Sequence, residues 1–128
     1  MKAEPKILIV DDVEEYRMAF EMYLPEGAEF LGASSADEAR ELLACGGGFA
    51  PDLAIIDVRL NGEPGDAGGM ELLSWMHENF PVTPVIMVGA CQTCEYEIGA
   101  VKRGAFRFLK KPLHPDEVKA ALDPVFRS

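Results

Sequence analysis

Hydrophobic positions along the chain fall into five short runs, each followed by a stretch in which apolar residues recur at three- and four-residue intervals. The runs are "KILIV" (6–10), "AEFLGA" (28–33), "DLAIID" (52–57), "PVIMVGA" (84–90) and "AFRFLKK" (105–111). The first, third and fourth are nearly unbroken in apolar residues, as strands of a parallel sheet are when both faces are covered. The second and fifth are more mixed, as edge strands are. The intervening periodic stretches predict helices. Residues 13–24 place Val13, Tyr16, Phe20, Tyr23 and Leu24 along one stripe. Residues 35–44 open on Ser35 with Glu38 three positions on, a capping-box spacing, and run into Gly46, Gly47 and Gly48. Residues 69–80 carry Leu72, Leu73, Met76 and Phe80 and stop at Pro81. Residues 93–104 are a weaker helix, with Gly99 inside and Gly104 at the end. Residues 115–126 begin with Pro at a helix-opening position and acids in the first turn.

Strand and helix thus alternate five times, which predicts an α/β fold: a doubly wound, five-stranded parallel sheet with five helices on its two faces. The expected strand order is 2-1-3-4-5, the flavodoxin-like arrangement. The longest irregular piece, "RLNGEPGDAG" (59–68), reads as a loop, and residues 1–128 read as a single domain.

Such sheets bind ligands beyond the carboxyl ends of their strands, where the strand order reverses. Here that place lies between strands 1 and 3. Strand 1 ends in Asp11 and Asp12, strand 3 in Asp57, and strand 5 in Lys110 and Lys111. An aspartate after a strand also caps helices, and either Asp11 or Asp12 alone is explained that way. Acids closing both strands 1 and 3, with a lysine closing strand 5, are not. Like charges a few ångströms apart do not all stay ionised without cost. A divalent cation relieves them, and an oxygen-only set with places left for water and phosphate suits Mg²⁺. Three acids, one lysine and Mg²⁺ balance until a phosphoryl group brings about two further negative charges.

Composition narrows the picture further. The 128 residues carry a net charge of −10 and an acidic pI of about 4.6, against nucleic acid and against an anionic membrane surface as partners. No run approaches the length of a transmembrane helix, and the N-terminus lacks the form of a signal peptide, so a cytoplasmic location is expected. Three cysteines do not suggest a disulfide framework. Cys91 and Cys94 form C-x-x-C at the start of the fourth helix, where a thiol pKa is lowered. A zinc site there would need Cys45, His77 or His114, which are scattered in sequence. The two histidines read as surface residues.

The pieces "ILIVDD", "PDLAIIDVRL", "GMELL", "PVIMVGA" and "GAFRFLKKP" stand in the order and spacing of a known family. The chain resembles the receiver domain of bacterial two-component response regulators (CheY-like) over essentially its whole length. The resemblance implies that Asp57 is the phosphoacceptor, taking a phosphoryl group from a histidine of a sensor kinase or phosphotransfer protein. It implies that Asp11, Asp12, Asp57 and the backbone carbonyl of Arg59 hold Mg²⁺. Lys111 would pair with the phosphoryl oxygens, across a Lys111–Pro112 bond that is often cis in the family. State would pass to a downstream effector protein or domain through the face of helix 4, strand 5 and helix 5, and a homodimer is a further expectation. Such a domain switches; it is not an enzyme acting on a separate substrate.

Three features depart from the family pattern. Where Thr or Ser usually closes strand 4, this chain has Gly89, which removes a charge-assisted hydrogen bond of roughly 1.5–3 kcal/mol and leaves the N–H of Ala90, with Thr93 nearby. Phosphorylation is then expected to persist with looser coupling to shape. Phe108 stands in the switch position where Tyr is common; it is equally readable as core. The loop after Asp57 is about four residues longer than usual, and Arg59 within it either covers the phosphoryl group or is merely solvated. Gly89 and Phe108 favour an alternative, a receiver-like interaction module working without phosphate; the intact Asp11, Asp12, Asp57 and Lys111 oppose it. A phosphoaspartyl hydrolase lacks its D-x-D pair, and a flavin carrier would need a phosphate loop where "DDVEEY" repels phosphate.

Overall fold

A computed structural model of the chain describes residues 5–45, 50–60, 68–89 and 95–126. Five strands and five helices alternate: β1 (Lys6–Val10), α1 (Glu14–Glu21), β2 (Glu29–Ala33), α2 (Ala36–Cys45), β3 (Leu53–Asp57), α3 (Gly68–Asn79), β4 (Val85–Gly89), α4 (Glu95–Lys102), β5 (Arg107–Lys110) and α5 (Pro115–Phe126). All neighbouring strands are parallel, in the order β2-β1-β3-β4-β5. This is the flavodoxin-like architecture expected from the sequence.

The pleat sends alternate residues of each strand to opposite faces. Leu8, Val10, Ile56 and Met87 pack with Ala39 of α2, with Leu72, Leu73 and Met76 of α3, and with Ala100 of α4. Ile7, Ile9, Ile55 and Val88 pack on the other face with Phe20 of α1 and with Val118 and Leu122 of α5. Every residue of β3 and β4 is buried, which is why these runs read as unbroken hydrophobic stretches. Edge strand β2 has only Ala33 buried. Among the described residues no helix is long and apolar enough to cross a membrane.

Several boundaries differ from the sequence reading for local reasons. The first helix stops at Glu21, not Leu24: the Tyr23 and Leu24 N–H groups bond the Phe20 and Glu21 carbonyls at 3.0 and 3.2 Å, a tighter three-residue turn that leads into Pro25. Asp52 sits below β3: its carboxylate accepts the Lys6 N–H at 2.8 Å. At α2 the Ser35 hydroxyl oxygen accepts the Glu38 N–H at 3.1 Å, and Glu38 reaches back to the Ser34 N–H at 3.2 Å, one residue beyond the usual capping box. The fourth helix ends at a glycine as expected: Gly104 has φ +93°, and the Ala105 N–H bonds the Ala100 carbonyl at 2.9 Å in a Schellman arrangement. The glycine run 46–48, Ala90, Cys91, Thr93 and Cys94 lie outside the described residues.

Gly69 fixes how α3 meets the sheet. Its N–H donates to the Val58 carbonyl at 2.9 Å. A Cβ there would fall 1.8 Å from the Asp57 carbonyl oxygen. Only a residue without a side chain lets the helix start this close to the end of β3.

Candidate functional site

The reversal point between β1 and β3 is where the acids meet. Val10 and Ile56 are register partners, so the residues that follow them emerge side by side. Among the described residues Asp11 (2% exposed) and Asp57 (5% exposed) are the buried charged ones, and Asp12 is exposed. One carboxylate oxygen from each of Asp11, Asp12 and Asp57 lies within 4.8 Å of the others. The fifth strand delivers the cation. The Lys111 N–H donates to the Gly89 carbonyl at 3.0 Å, extending the β4–β5 ladder one residue past Lys110. From there Lys111 Nζ reaches Asp57 Oδ2 at 3.0 Å and Asp11 Oδ2 at 3.3 Å. The Lys111–Pro112 peptide is cis.

The remaining carboxylate oxygens are held by backbone. Asp11 Oδ1 accepts the Val13 N–H at 2.9 Å, and Asp57 Oδ1 accepts the Arg59 N–H at 3.2 Å. Asp11 thus closes an Asx-type turn just ahead of α1, whose N-cap is Val13 and carries no side-chain cap hydrogen bond. Turn closure alone does not account for Asp57, whose second oxygen faces Lys111. The Arg17 guanidinium donates to the Asp11 carbonyl, and the Lys111 ammonium stands 3.8 Å from the centroid of the Tyr16 ring.

Electrostatics follow from this crowding. Burial pushes the Asp11 carboxyl above the usual carboxylate range and the Asp57 charge adds to it, against the opposing Val13 N–H and Lys111. Partial burial, then the neighbouring Asp11 charge, raises Asp12. Burial alone would lower Lys111; its hydrogen bond to Asp57 and the charges of Asp57 and Asp11 outweigh that, so its pKa is raised. With three acids and one ammonium, the site is left two positive charges short of neutrality.

The other candidates are placed as follows. Gly89 closes β4 and is buried; a Cβ on it would meet Val58 Cγ2 at 3.1 Å and Phe108 Cζ at 3.2 Å. Phe108 is half-buried against the core with its ring end over Gly89. Arg59 is exposed, and its backbone faces Asp57. His77 and His114 are exposed. The sequence reading assigned Tyr16 to the apolar stripe of α1 and passed over Arg17 and Gly69. The signal for the first two was their position one turn beyond the acid pair, the place a helix leaving β1 turns back over the sheet edge.

Comparisons with known proteins agree with this geometry. The response regulator protein PilR of Pseudomonas aeruginosa is 38% identical over 110 residues, covering 84% of this chain and 23% of that protein. The nitrogen assimilation regulatory protein NtrX of Azorhizobium caulinodans is 33% identical over 112 residues, 88% of this chain and 24% of its own length. The chain thus spans about a quarter of the curated relatives it matches. The crystal structure of the receiver domain of NtrX from Brucella abortus superposes with a TM-score of 0.79 at 30% identity, over 95% of this chain and 98% of that one. The family model of the response regulator receiver domain matches residues 7–123, and the chain belongs to that family, the receiver domains of two-component response regulators.

Proposed function

We propose that this domain accepts a phosphoryl group on Asp57 from a phosphohistidine of a sensor kinase or phosphotransfer protein, in a Mg²⁺-dependent reaction. The observation that carries the reading is Lys111, whose ammonium bridges Asp57 and Asp11 in a crevice where three carboxylates converge. A carboxylate oxygen of Asp57 attacks phosphorus in line; the P–O bond forms as the P–N bond breaks. The imidazole leaves with the bonding pair and takes a proton from solvent. Water later attacks phosphorus, releasing inorganic phosphate and restoring the carboxylate. Lys111 is placed to exchange Asp57 Oδ2 for a phosphoryl oxygen, and the Arg59 N–H holds the other carboxylate oxygen in place.

The donor set fits a hard divalent cation: all oxygen, clustered, and under-neutralised. Asp11, Asp12 and Asp57 would hold it, with the Arg59 carbonyl as a further ligand. Bound there, Mg²⁺ supplies charge neutralisation for the transferring phosphoryl group. Groups whose pKa is raised on folding stabilise fully below the unfolded value and lose that contribution as pH rises through the folded one. Asp11 and Asp12 are both raised, so their contribution is present below about pH 4 and lost toward neutrality. Added Mg²⁺ at ten times its Kd should then contribute about 1.4 kcal/mol at pH 7, and less at pH 5 where protons compete. Thermal melts with and without MgCl₂ at both pH values check this.

Residues 1–128 are read as one receiver unit acting in the cytoplasm, with a downstream effector protein or domain, or a second copy, engaging α4, β5 and α5. A cavity of about 450 Å³ opens beside β5, lined by Phe108, Lys111, Pro112, His114 and Glu117 among others. It brings Lys111 and Phe108 to the border of that face. Incubation with acetyl phosphate and Mg²⁺ tests the core of the reading. Mass spectrometry should locate one phosphoryl group on Asp57, and Asp57→Asn should take none; an unmodified wild-type chain refutes it.

The second reading, an interaction module that works without phosphate, is favoured by one observation. A Cβ at position 89 would stand 3.2 Å from the Phe108 ring end and 3.1 Å from Val58 Cγ2, so the ring crowds the place of a switch side chain. Gly89→Ser accordingly requires Val58 and Phe108 to yield by a few tenths of an ångström, at about 1 kcal/mol. In return it offers a hydroxyl to the phosphoryl group. The expected result is an outward shift of Phe108 and larger phosphorylation-induced NMR changes in Glu95–Lys102. Unchanged shifts in that helix would count against a switch role for position 89.

A further inference from the structure

The stripe of α1 divides in two. Phe20 is buried at 1% exposure in the core, whereas Tyr16, one turn earlier, is only half-buried and lies beside the acid crevice. Its ring centroid is 3.8 Å from Lys111 Nζ, the same nitrogen that stands 3.0 Å from Asp57 Oδ2 and 3.3 Å from Asp11 Oδ2. The ammonium therefore sits among two carboxylates and one aromatic face.

We propose that Tyr16 is a positioning residue for phosphoryl transfer, its ring face seating the Lys111 ammonium over the crevice while that ammonium exchanges Asp57 for the incoming phosphoryl oxygens. The proposal rests on the phosphoacceptor reading above. A lysine carries its charge on a flexible four-carbon stem and has many rotamers to lose. In the resting domain two carboxylates restrain it. Once Asp57 carries a phosphoryl group, Oδ2 no longer holds the ammonium, which must shift to the phosphoryl oxygens. The ring does not change. Its attraction for a cation comes from the electron-rich face, strengthens where water is excluded, and acts on the ammonium whichever oxygen the N–H groups meet. The Lys111 side chain is 11% exposed, so the contact is largely shielded from water. An aliphatic side chain at position 16 would strip water from the ammonium equally and return no attraction.

The test compares the wild-type chain with Tyr16→Phe and Tyr16→Leu. Two quantities are read: the rate of phosphorylation by acetyl phosphate with Mg²⁺, and the NMR shifts of the Lys111 ε-protons, which a ring face at this distance moves upfield. Tyr16→Leu is expected to lower the rate about tenfold and to abolish the upfield shift. Tyr16→Phe keeps the ring face and is expected to stay within about twofold of wild type with the shift retained. A wild-type rate in Tyr16→Leu, or Lys111 resonances unmoved by it, overturns the proposal. So does a Tyr16→Phe chain as slow as Tyr16→Leu, since the hydroxyl would then be the acting group. If the wild-type chain takes no phosphoryl group, the phosphoacceptor reading fails on its own. The Lys111 shifts in the three folded chains then decide alone whether Tyr16 seats the ammonium.

Discussion

Gly69→Ala should unfold at a lower urea midpoint than the wild-type chain, by roughly 2–3 kcal/mol, and should be phosphorylated poorly even when folded. The added Cβ falls 1.8 Å from the Asp57 carbonyl oxygen, 2.7 Å from the Asp57 carbonyl carbon and 2.8 Å from Val58 Cα. These are backbone atoms at the end of the central strand and of the residue that follows it. Val58 is tied to β4 through its N–H bond to the Val88 carbonyl at 2.8 Å, so the strand has nowhere to retreat. Helix α3 must back away instead. That breaks the Gly69–Val58 hydrogen bond and lifts Leu72, Leu73 and Met76, all 0% exposed, from their packing. The helix-propensity gain of Ala over Gly, about 1 kcal/mol at most, does not offset this. Because the strain is delivered at Asp57 itself, the carboxylate moves relative to Lys111 and the crevice opens unevenly. Gly32→Ala is the control. A Cβ there meets only the flexible Arg17 side chain, at 3.4 Å, and the midpoint should stay within about 0.5 kcal/mol. Urea titrations of both variants check the pair, and an unshifted midpoint for Gly69→Ala would contradict the clash.

The contrast between these glycines shows what the sequence could and could not convey. The strands were legible because β3 and β4 are buried on both faces and leave unbroken apolar runs. The acids and Lys111 were legible because a parallel sheet exposes its strand ends at one edge, so charges there are conspicuous. Gly69 was not: its constraint comes from backbone 12 positions away, and nothing in "DAGGMELL" marks which glycine touches the strand. Tyr16 was misassigned because periodicity counts a tyrosine as apolar without saying whether the first turn of a helix faces core or crevice. Gly89 and Phe108 were each singled out, yet their contact was missed. They are diagonal neighbours, with Met87 opposite Phe108 and Gly89 opposite Lys110, and that register is visible only once β4 and β5 are paired. Local chemistry is written in the sequence; the distances between its pieces are set by the packing of the sheet.

Lys111→Met separates the two tasks of the ammonium, holding the fold together and receiving the phosphoryl group. Lys111, Asp11 and Asp57 have side chains 11%, 3% and 6% exposed, and methionine fills similar volume without charge. Removing one partner of a buried pair leaves uncompensated charge and costs roughly 3–5 kcal/mol when the remaining group stays ionised. Asp11 has an escape, because its pKa is already raised and a proton neutralises it. The expected loss is therefore smaller, roughly 2–3 kcal/mol at pH 7 without divalent cation. Without the ammonium, which lowers both, Asp11 and Asp12 are raised further, so the variant loses stability as pH climbs from about 4 to 7 and its deficit against wild type widens. Above the ordinary lysine range the deficit narrows again: the raised pKa of Lys111 means that its contribution to the wild-type chain is lost only there. Added Mg²⁺ should recover much of the stability, since the crevice is one charge more negative and holds a cation more tightly. It should not recover phosphorylation, which is expected to fall roughly a hundredfold because the transferring oxygens lose their ammonium donor. Urea titrations at pH 5 and 7, with and without MgCl₂, together with acetyl phosphate labelling, read both tasks. If Mg²⁺ restores the labelling rate along with the stability, Lys111 balances charge in the resting domain and takes no part in the transfer.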